Sequence, residues 1–257
     1  MLQKNILAIA WVALTLFTAS RAMAFGIGAY ATVGGGGSTY KTTTEDYLPN
    51  ITGTSSDLTA GAGLILDTTL AQDSLFNYRL KIGGGRNWID REKHIILARL
   101  QMSNIFGFGI IRTDIIRWWI GPQLGGTYSW GDRGKRNYAG IAKESSEYQA
   151  LRYGVFSIND INLLAPYHDT IREINYGGLN VGLSTGLNIN IGSLFTISLE
   201  TGFKYNLNWG NQQRKIYETL WPLYEINHFT ENLFVHGWEL YGEIAFLFRI
   251  PGDNYRG

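Results

Sequence analysis

The sequence predicts an all-β chain that closes as an eight-stranded antiparallel up-and-down transmembrane β-barrel. Three observations carry this. After residue 24, apolar and polar residues alternate with period two along most of the 257-residue chain, and no stretch reaches the ~20 apolar residues of a membrane-spanning helix. The arginines, lysines and glutamates fall opposite an unbroken apolar face, which inverts a water-soluble sheet, where the solvent side carries the charges. The connections between the alternating segments are short and long by turns, the habit of membrane barrels.

Composition narrows the function classes. The chain is 45% hydrophobic, 14% aromatic and 17% charged, with 32 glycines and no cysteine. That apolar content excludes disorder, and the missing cysteine excludes disulfides, thiolate metal sites and a cysteine nucleophile. Residues 1–24 read as a cleaved signal peptide. Lys4 gives a basic start, Ile6 to Phe17 an apolar core, and Ala22-Met23-Ala24 a cleavage motif before Phe25. Two of the 22 basic residues, Lys4 and Arg21, lie in this leader, which leaves the rest near balance with 21 acidic residues. No bulk charge draws the chain to nucleic acid. Residues 25–250 form one barrel domain, and 251–257 a short C-terminal tail.

The strands are placed by their apolar parity. The first covers Phe25 to Thr39, with Ile27, Ala29, Ala31 and Val33 outward, and the second Asp57 to Asp67, with Leu58, Ala60, Ala62, Leu64 and Leu66 outward. The third runs Leu75 to Arg86 with Phe76, Tyr78, Leu80 and Ile82 outward, and the fourth His94 to Ile110 with Ile96, Ala98, Leu100 and Met102 outward. In the fifth, Ile115 to Gly131, Trp118, Ile120, Leu124, Tyr128 and Trp130 face out. Pro122 has no N–H to give a ladder, so a bulge or break is expected there. Leu179 to Ile191 and Phe195 to Trp209 alternate strictly around the turn Gly192–Leu194, and the last strand covers Phe234 to Ile250. These strands are long enough for the ~9–11 tilted residues that cross a bilayer. Tyr40–Ser56, Gly131–Glu173 and Gly210–Leu233 read as long loops. Within the second of these, Tyr153–Ile158 and Ile161–Tyr167 could form a further hairpin, making ten strands.

The last strand, Tyr241-Gly242-Glu243-Ile244-Ala245-Phe246-Leu247-Phe248, and the segment Trp119-Ile120-Gly121-Pro122-Gln123-Leu124-Gly125-Gly126 resemble those of small bacterial outer-membrane barrels. That group includes OmpW, OmpX, the OmpA transmembrane domain and the opacity-type proteins. The resemblance implies a multi-pass barrel in the bacterial outer membrane, in contact with its lipids and lipopolysaccharide. It also implies that Tyr241, Gly242, Phe246 and Phe248 form the C-terminal signal read by the barrel-assembly machinery. Here Arg249, Ile250 and a tail follow the terminal aromatic on which the group usually ends.

Parity sends Arg79, Lys81, Arg99, Arg117, Lys204 and Arg249 into the lumen with Glu200, Glu239 and Glu243. Eight strands enclose only enough room for side chains or one small ligand, so these charges pair into a plug or line a narrow passage for a small solute. In the passage reading, interleaved glycines such as Gly182, Gly186 and Gly202 leave space for water, and the basic excess favours anionic or polar solutes. Two other classes compete. The loop 131–173 could act as an adhesin or receptor surface. A lipid A-modifying enzyme would need a nucleophile beside a base, but His236 has no serine two residues away, and His168-Asp169 with Ser157 is a weak constellation. The chain is therefore expected to be no enzyme, with neither metal nor cofactor.

Overall fold

The computed structural model describes residues 25–43, 51–68, 75–89, 95–131, 168–220 and 223–250. Residues 1–24, the expected signal peptide, with the tail 251–257, His94, Ser157 and nearly all of loop 131–173 and its alternative hairpin, lie outside the described residues. The strands are β1 (Phe25–Thr43), β2 (Ile51–Asp67), β3 (Phe76–Ile89), β4 (Ile95–Arg112), β5 (Ile116–Gly131), β6 (His168–Ile191), β7 (Phe195–Leu220) and β8 (Leu223–Ile250). Each pairs antiparallel with the next, and β1 pairs with β8 from Phe25↔Ile250 to Thr43↔Asn232 to close the barrel. Closure leaves no sheet edge, which is what a backbone in hydrocarbon requires.

The two faces follow the predicted parity. Outward positions such as Leu64, Leu100, Leu183, Leu199 and Phe246 are exposed, and their neighbours Ile65, Arg99, Ser184, Glu200 and Leu247 are buried in the lumen. Aromatic pairs sit on the outside, among them Phe76–Phe108, Tyr78–Phe106 and Phe195–Phe248, with ring centroids 4.7–5.4 Å apart. Both described ends of the chain, the 113–115 connection and the 192–194 turn share one rim, here the terminal end. Gly192 adopts φ 63°, a left-handed conformation that glycine enters without a Cβ penalty.

Two expected long loops change, and the expectation at Pro122 holds in part. The strands run to 24, 26 and 28 residues in β6, β7 and β8. Gly210–Leu233 is therefore no long loop: it continues the β7–β8 ladder up to Leu220↔Leu223. Much of Tyr40–Ser56 likewise belongs to β1 and β2. Period-two hydropathy fades in these extensions, where outward positions such as Asn211 and Gln213 are polar, while backbone pairing continues. At Pro122 the expected local break occurs, but without a bulge, and the register does not shift. Pairing with β6 passes through Pro122↔Leu183, and pairing with β4 lapses between Ile105↔Gln123 and Phe108↔Ile120 before resuming in the same register. The bulge lies instead between Gly109 and Ile111, beside the terminal-end turn.

Candidate functional site

The candidate site is the lumen, where β2, β3, β4, β7 and β8 bring charges from distant parts of the sequence into two layered clusters. Nearest the terminal end, Arg79 on β3 donates from Nε to Asp67 Oδ2 at 2.7 Å and from Nη1 to Glu200 Oε2 at 3.1 Å. Its Nη2 donates to Asn188 at 2.6 Å and Ser198 at 2.9 Å. The guanidinium lies 4.5 Å from the ring centroid of Trp119. Arg79, Asp67 and Trp119 are each 0% exposed, so this layer excludes solvent.

The next layer is built on a like-charge pair. Glu200 and Glu243 stand directly opposite each other in the β7–β8 register. Lys81 reaches across from β3 to separate them, 2.7 Å from Glu200 Oε1 and 3.0 Å from Glu243 Oε2. Its Nζ lies 5.1 Å from the Tyr241 ring centroid, and Tyr241 Oη is 2.7 Å from Glu200 Oε1. Four residues along, Glu239 accepts from Arg99 Nη2 at 3.0 Å, from Lys204 Nζ at 3.1 Å and from Thr59 Oγ1 at 3.0 Å. Lys204 and Glu239 are cross-strand partners, as their parity predicted.

Seven of the nine expected lumen residues thus pair in two clusters that meet at the Tyr241 ring: Arg79, Lys81, Glu200 and Glu243 in one, Arg99, Lys204 and Glu239 in the other. The other two lie toward the terminal rim. Arg249 donates to the Gly192 carbonyl in the β6–β7 turn at 3.3 Å, and buried Arg117 stands opposite Asn188 in β6. Of the proposed assembly signal, Phe246 and Phe248 face lipid, whereas Tyr241 is buried in the lumen as a platform for Lys81 and Lys204.

Sequence reasoning missed the residues that complete the network. Asp67 shares the inward parity of β2, as does Asp57, and Glu231 is buried on β8, so among the described residues the lumen acids match the bases and the expected basic excess disappears. These glycines do not leave open lumen space. A Cβ on Gly186 would lie 2.5 Å from Trp119 Cζ2, and one on Gly202 would lie 2.7 Å from the Tyr241 ring, so these gaps seat aromatic side chains. Gly182 lies against the backbone of Phe203.

His236 is the one histidine whose side chain is described. It faces outward, and its Nδ1 is 2.7 Å from Tyr205 Oη. Among the described residues no group of three or more potential metal ligands occurs.

No protein-family model and no curated protein matches the chain. Among solved structures it is similar to the outer membrane protein OprG from Pseudomonas aeruginosa at 12% identity and TM-score 0.49, covering 89% of this chain and 96% of that one. It is also similar to the outer membrane protease OmpT from Escherichia coli, at 9% identity and TM-score 0.35, with 88% and 97% covered. Similarity to Neisserial surface protein A is 11% at TM-score 0.29, with 82% and 95% covered. The membrane assignment rests on the closed ladder and the two faces rather than on these likenesses. A closed eight-stranded antiparallel barrel with an apolar outer band and a charged lumen is the architecture of the small bacterial outer-membrane barrels.

Proposed function

We propose that this outer-membrane barrel is a non-enzymatic envelope protein whose lumen is a narrow small-solute passage, shut at mid-depth by the Arg79–Glu200–Lys81–Glu243 and Arg99–Glu239–Lys204 ion pairs. The carrying observation is that these side chains are buried and pair between β3 or β4 on one side and β7–β8 on the other. A solute cannot pass without parting them. Their desolvated charges stay in place only while each keeps its partner. The matched acids and bases support a lock rather than an anion-selective channel. Lipopolysaccharide and the barrel-assembly machinery are the partners that the lipid face and the C-terminal aromatics Phe246 and Phe248 fit.

Planar-bilayer conductance of the refolded protein tests this. The wild type should conduct weakly, and Glu239→Ala, which removes the acid shared by Arg99 and Lys204, should raise single-channel conductance or open probability several-fold. Equal conductance in the two proteins would refute the lock. At outward-facing His236 the ring nitrogen meets the Tyr205 hydroxyl and not a serine, and hydrolysis of an acylated lipid by the refolded barrel would overturn the non-enzymatic reading.

A further inference from the structure

At the rim opposite the terminal end, the outward face of β7, β8 and β1 changes character. That rim carries the long β5–β6 connection, and the long connections of membrane barrels lie outside the cell, so it meets the outer leaflet. Along β8 the outward series from Ile250 to Trp238 holds only apolar residues and Gly242. It reaches His236 farther from Ile250 than the ~9–11 tilted residues that cross a bilayer. Tyr205 and Trp209 stand beside it on β7, amphipathic rings of the kind that collect at the headgroup level.

Two bases meet there. His236 pairs in register with Thr39 of β1, and exposed Lys41 pairs with Phe234, which makes the lysine and the imidazole diagonal neighbours on the outer face. The imidazole is held in place. Its Nδ1 is 2.7 Å from Tyr205 Oη, and its ring lies 5.4 Å from that of Phe234, which in turn lies 5.7 Å from Trp209. With Tyr205 donating to Nδ1, the ring carries its proton on Nε2 and offers that N–H as a donor. Among the described residues no acidic side chain faces outward on β7, β8, β1 or β2, so no carboxylate of these strands neutralises the two bases.

An anion that does so must sit at the membrane surface and rest on aromatic rings, which calls for a charged head on an apolar body. A phosphate oxygen set accepts from an ammonium and an imidazole N–H at once. Toward the membrane from Lys41, the outward positions of β1 include Gly37 and Gly35. A Cβ on Gly35 would come no nearer than 3.7 Å to other atoms, and one on Gly37 would lie 3.5 Å from Trp238 Nε1, so the surface stays low beside that indole. An acyl chain descending from a phosphate on Lys41 finds a furrow there rather than a ridge. We propose, resting on the reading of lipopolysaccharide as a partner, that Lys41 and His236 bind a phosphate of an outer-leaflet glycolipid of the lipid A class.

Native mass spectrometry of the full chain refolded in detergent tests this, with lipid A, fully dephosphorylated lipid A and excess inorganic phosphate as probes. The wild type should retain lipid A over its dephosphorylated form by roughly tenfold, the size of one hydrogen bond to a charged group. The double variant Lys41→Ser/His236→Phe should lose that preference. Arg86→Ser, which removes an outward, exposed base on β3 away from the pair, should keep it. Heat-modifiable gel migration checks folding, and should the double variant not fold, Lys41→Ser alone should cut the preference by about threefold. An undiminished preference in the Lys41 variants, an equal loss in Arg86→Ser, or displacement of the lipid by inorganic phosphate would each overturn the site. Of these, an undiminished preference leaves lipopolysaccharide a partner bound elsewhere, whereas a wild type that retains neither lipid, or both alike, removes the partner reading with the site.

Discussion

Deleting the Glu239 carboxylate should cost more than deleting either cation it holds, and the structure sets the size of the difference. Glu239 binds Arg99 at 3.0 Å, Lys204 at 3.1 Å and Thr59 at 3.0 Å, with its side chain 9% exposed. Glu239→Ala takes this partner from two buried cations at once, and breaking a buried pair from one side costs about 3–5 kcal/mol. Lys204→Ala leaves Glu239 held by Arg99 and Thr59, so its cost is nearer that of one charged hydrogen bond, about 1.5–3 kcal/mol. Glu239→Gln keeps the acceptor for Thr59 and loses the charge, so it should fall between them. Guanidinium titrations in detergent micelles, followed by the folded-to-unfolded gel shift, read these differences directly. A Lys204→Ala variant as unstable as Glu239→Ala would show that Glu239 does not bridge the two cations, and the lock would have to be redrawn.

Other outcomes follow from the same geometry. The barrel should migrate on gels in a heat-modifiable manner and give a β-rich circular-dichroism spectrum in detergent; folding as a soluble monomer without detergent would contradict the apolar outer face. Leu183→Arg and Leu199→Arg, mid-strand on the lipid face, should each destabilise by about 2–4 kcal/mol in the same titration. Ser198→Arg should be no milder, because that serine is buried and accepts from Arg79 at 2.9 Å; a well-tolerated Ser198→Arg would place it on the wrong face. Gly186→Val should cost about 1–3 kcal/mol by driving into Trp119, with a shift in tryptophan fluorescence marking the displaced ring.

The barrel was legible because lipid outside and polar lumen inside impose period two on every crossing strand, and the hydropathy of Leu179–Ile191 or Phe234–Ile250 has no other simple cause. The same physics explains what was not legible. Once β7 and β8 rise past Gly210 and Leu233, neither face needs to be greasy, so the sequence there resembles a loop although the backbone stays paired. The lock was half legible. Parity brought out the lumen face, and cross-strand reach predicted Lys204 with Glu239, but nothing local says that Lys81 will find Glu243, 162 residues away. Asp67 could have been found, since it continues the inward series of β2 opposite Leu66. Trp119 hid between Trp118 and Ile120, where three large side chains in a row mask the alternation. The glycines were misread because an empty position in sequence looks like space, whereas in the barrel Gly186 and Gly202 are the sockets for Trp119 and Tyr241.

The placement of the acids bears on how the barrel closes. Glu200 and Glu243 face each other across β7 and β8, and like charges opposed on neighbouring strands destabilise the hairpin that carries them. Within that hairpin Lys204 offsets Glu239, yet the Glu200–Glu243 couple receives from it only the neutral Tyr241 hydroxyl, which donates to Glu200. Relief comes from Lys81 and Arg79 on β3, more than one hundred residues earlier in the chain. Those contacts exist only when β1 has met β8 and the lumen is formed, since β3 reaches the acids across the enclosed space and not along the ladder. The ion pairs therefore reward the closed ring rather than any partial sheet, and contacts of such sequence separation repay their loop-closure entropy late. The buried lumen charges thereby also favour complete barrels over open ones, so a variant that neutralises both Glu200 and Glu243 should relieve the hairpin while weakening closure at the β1–β8 seam.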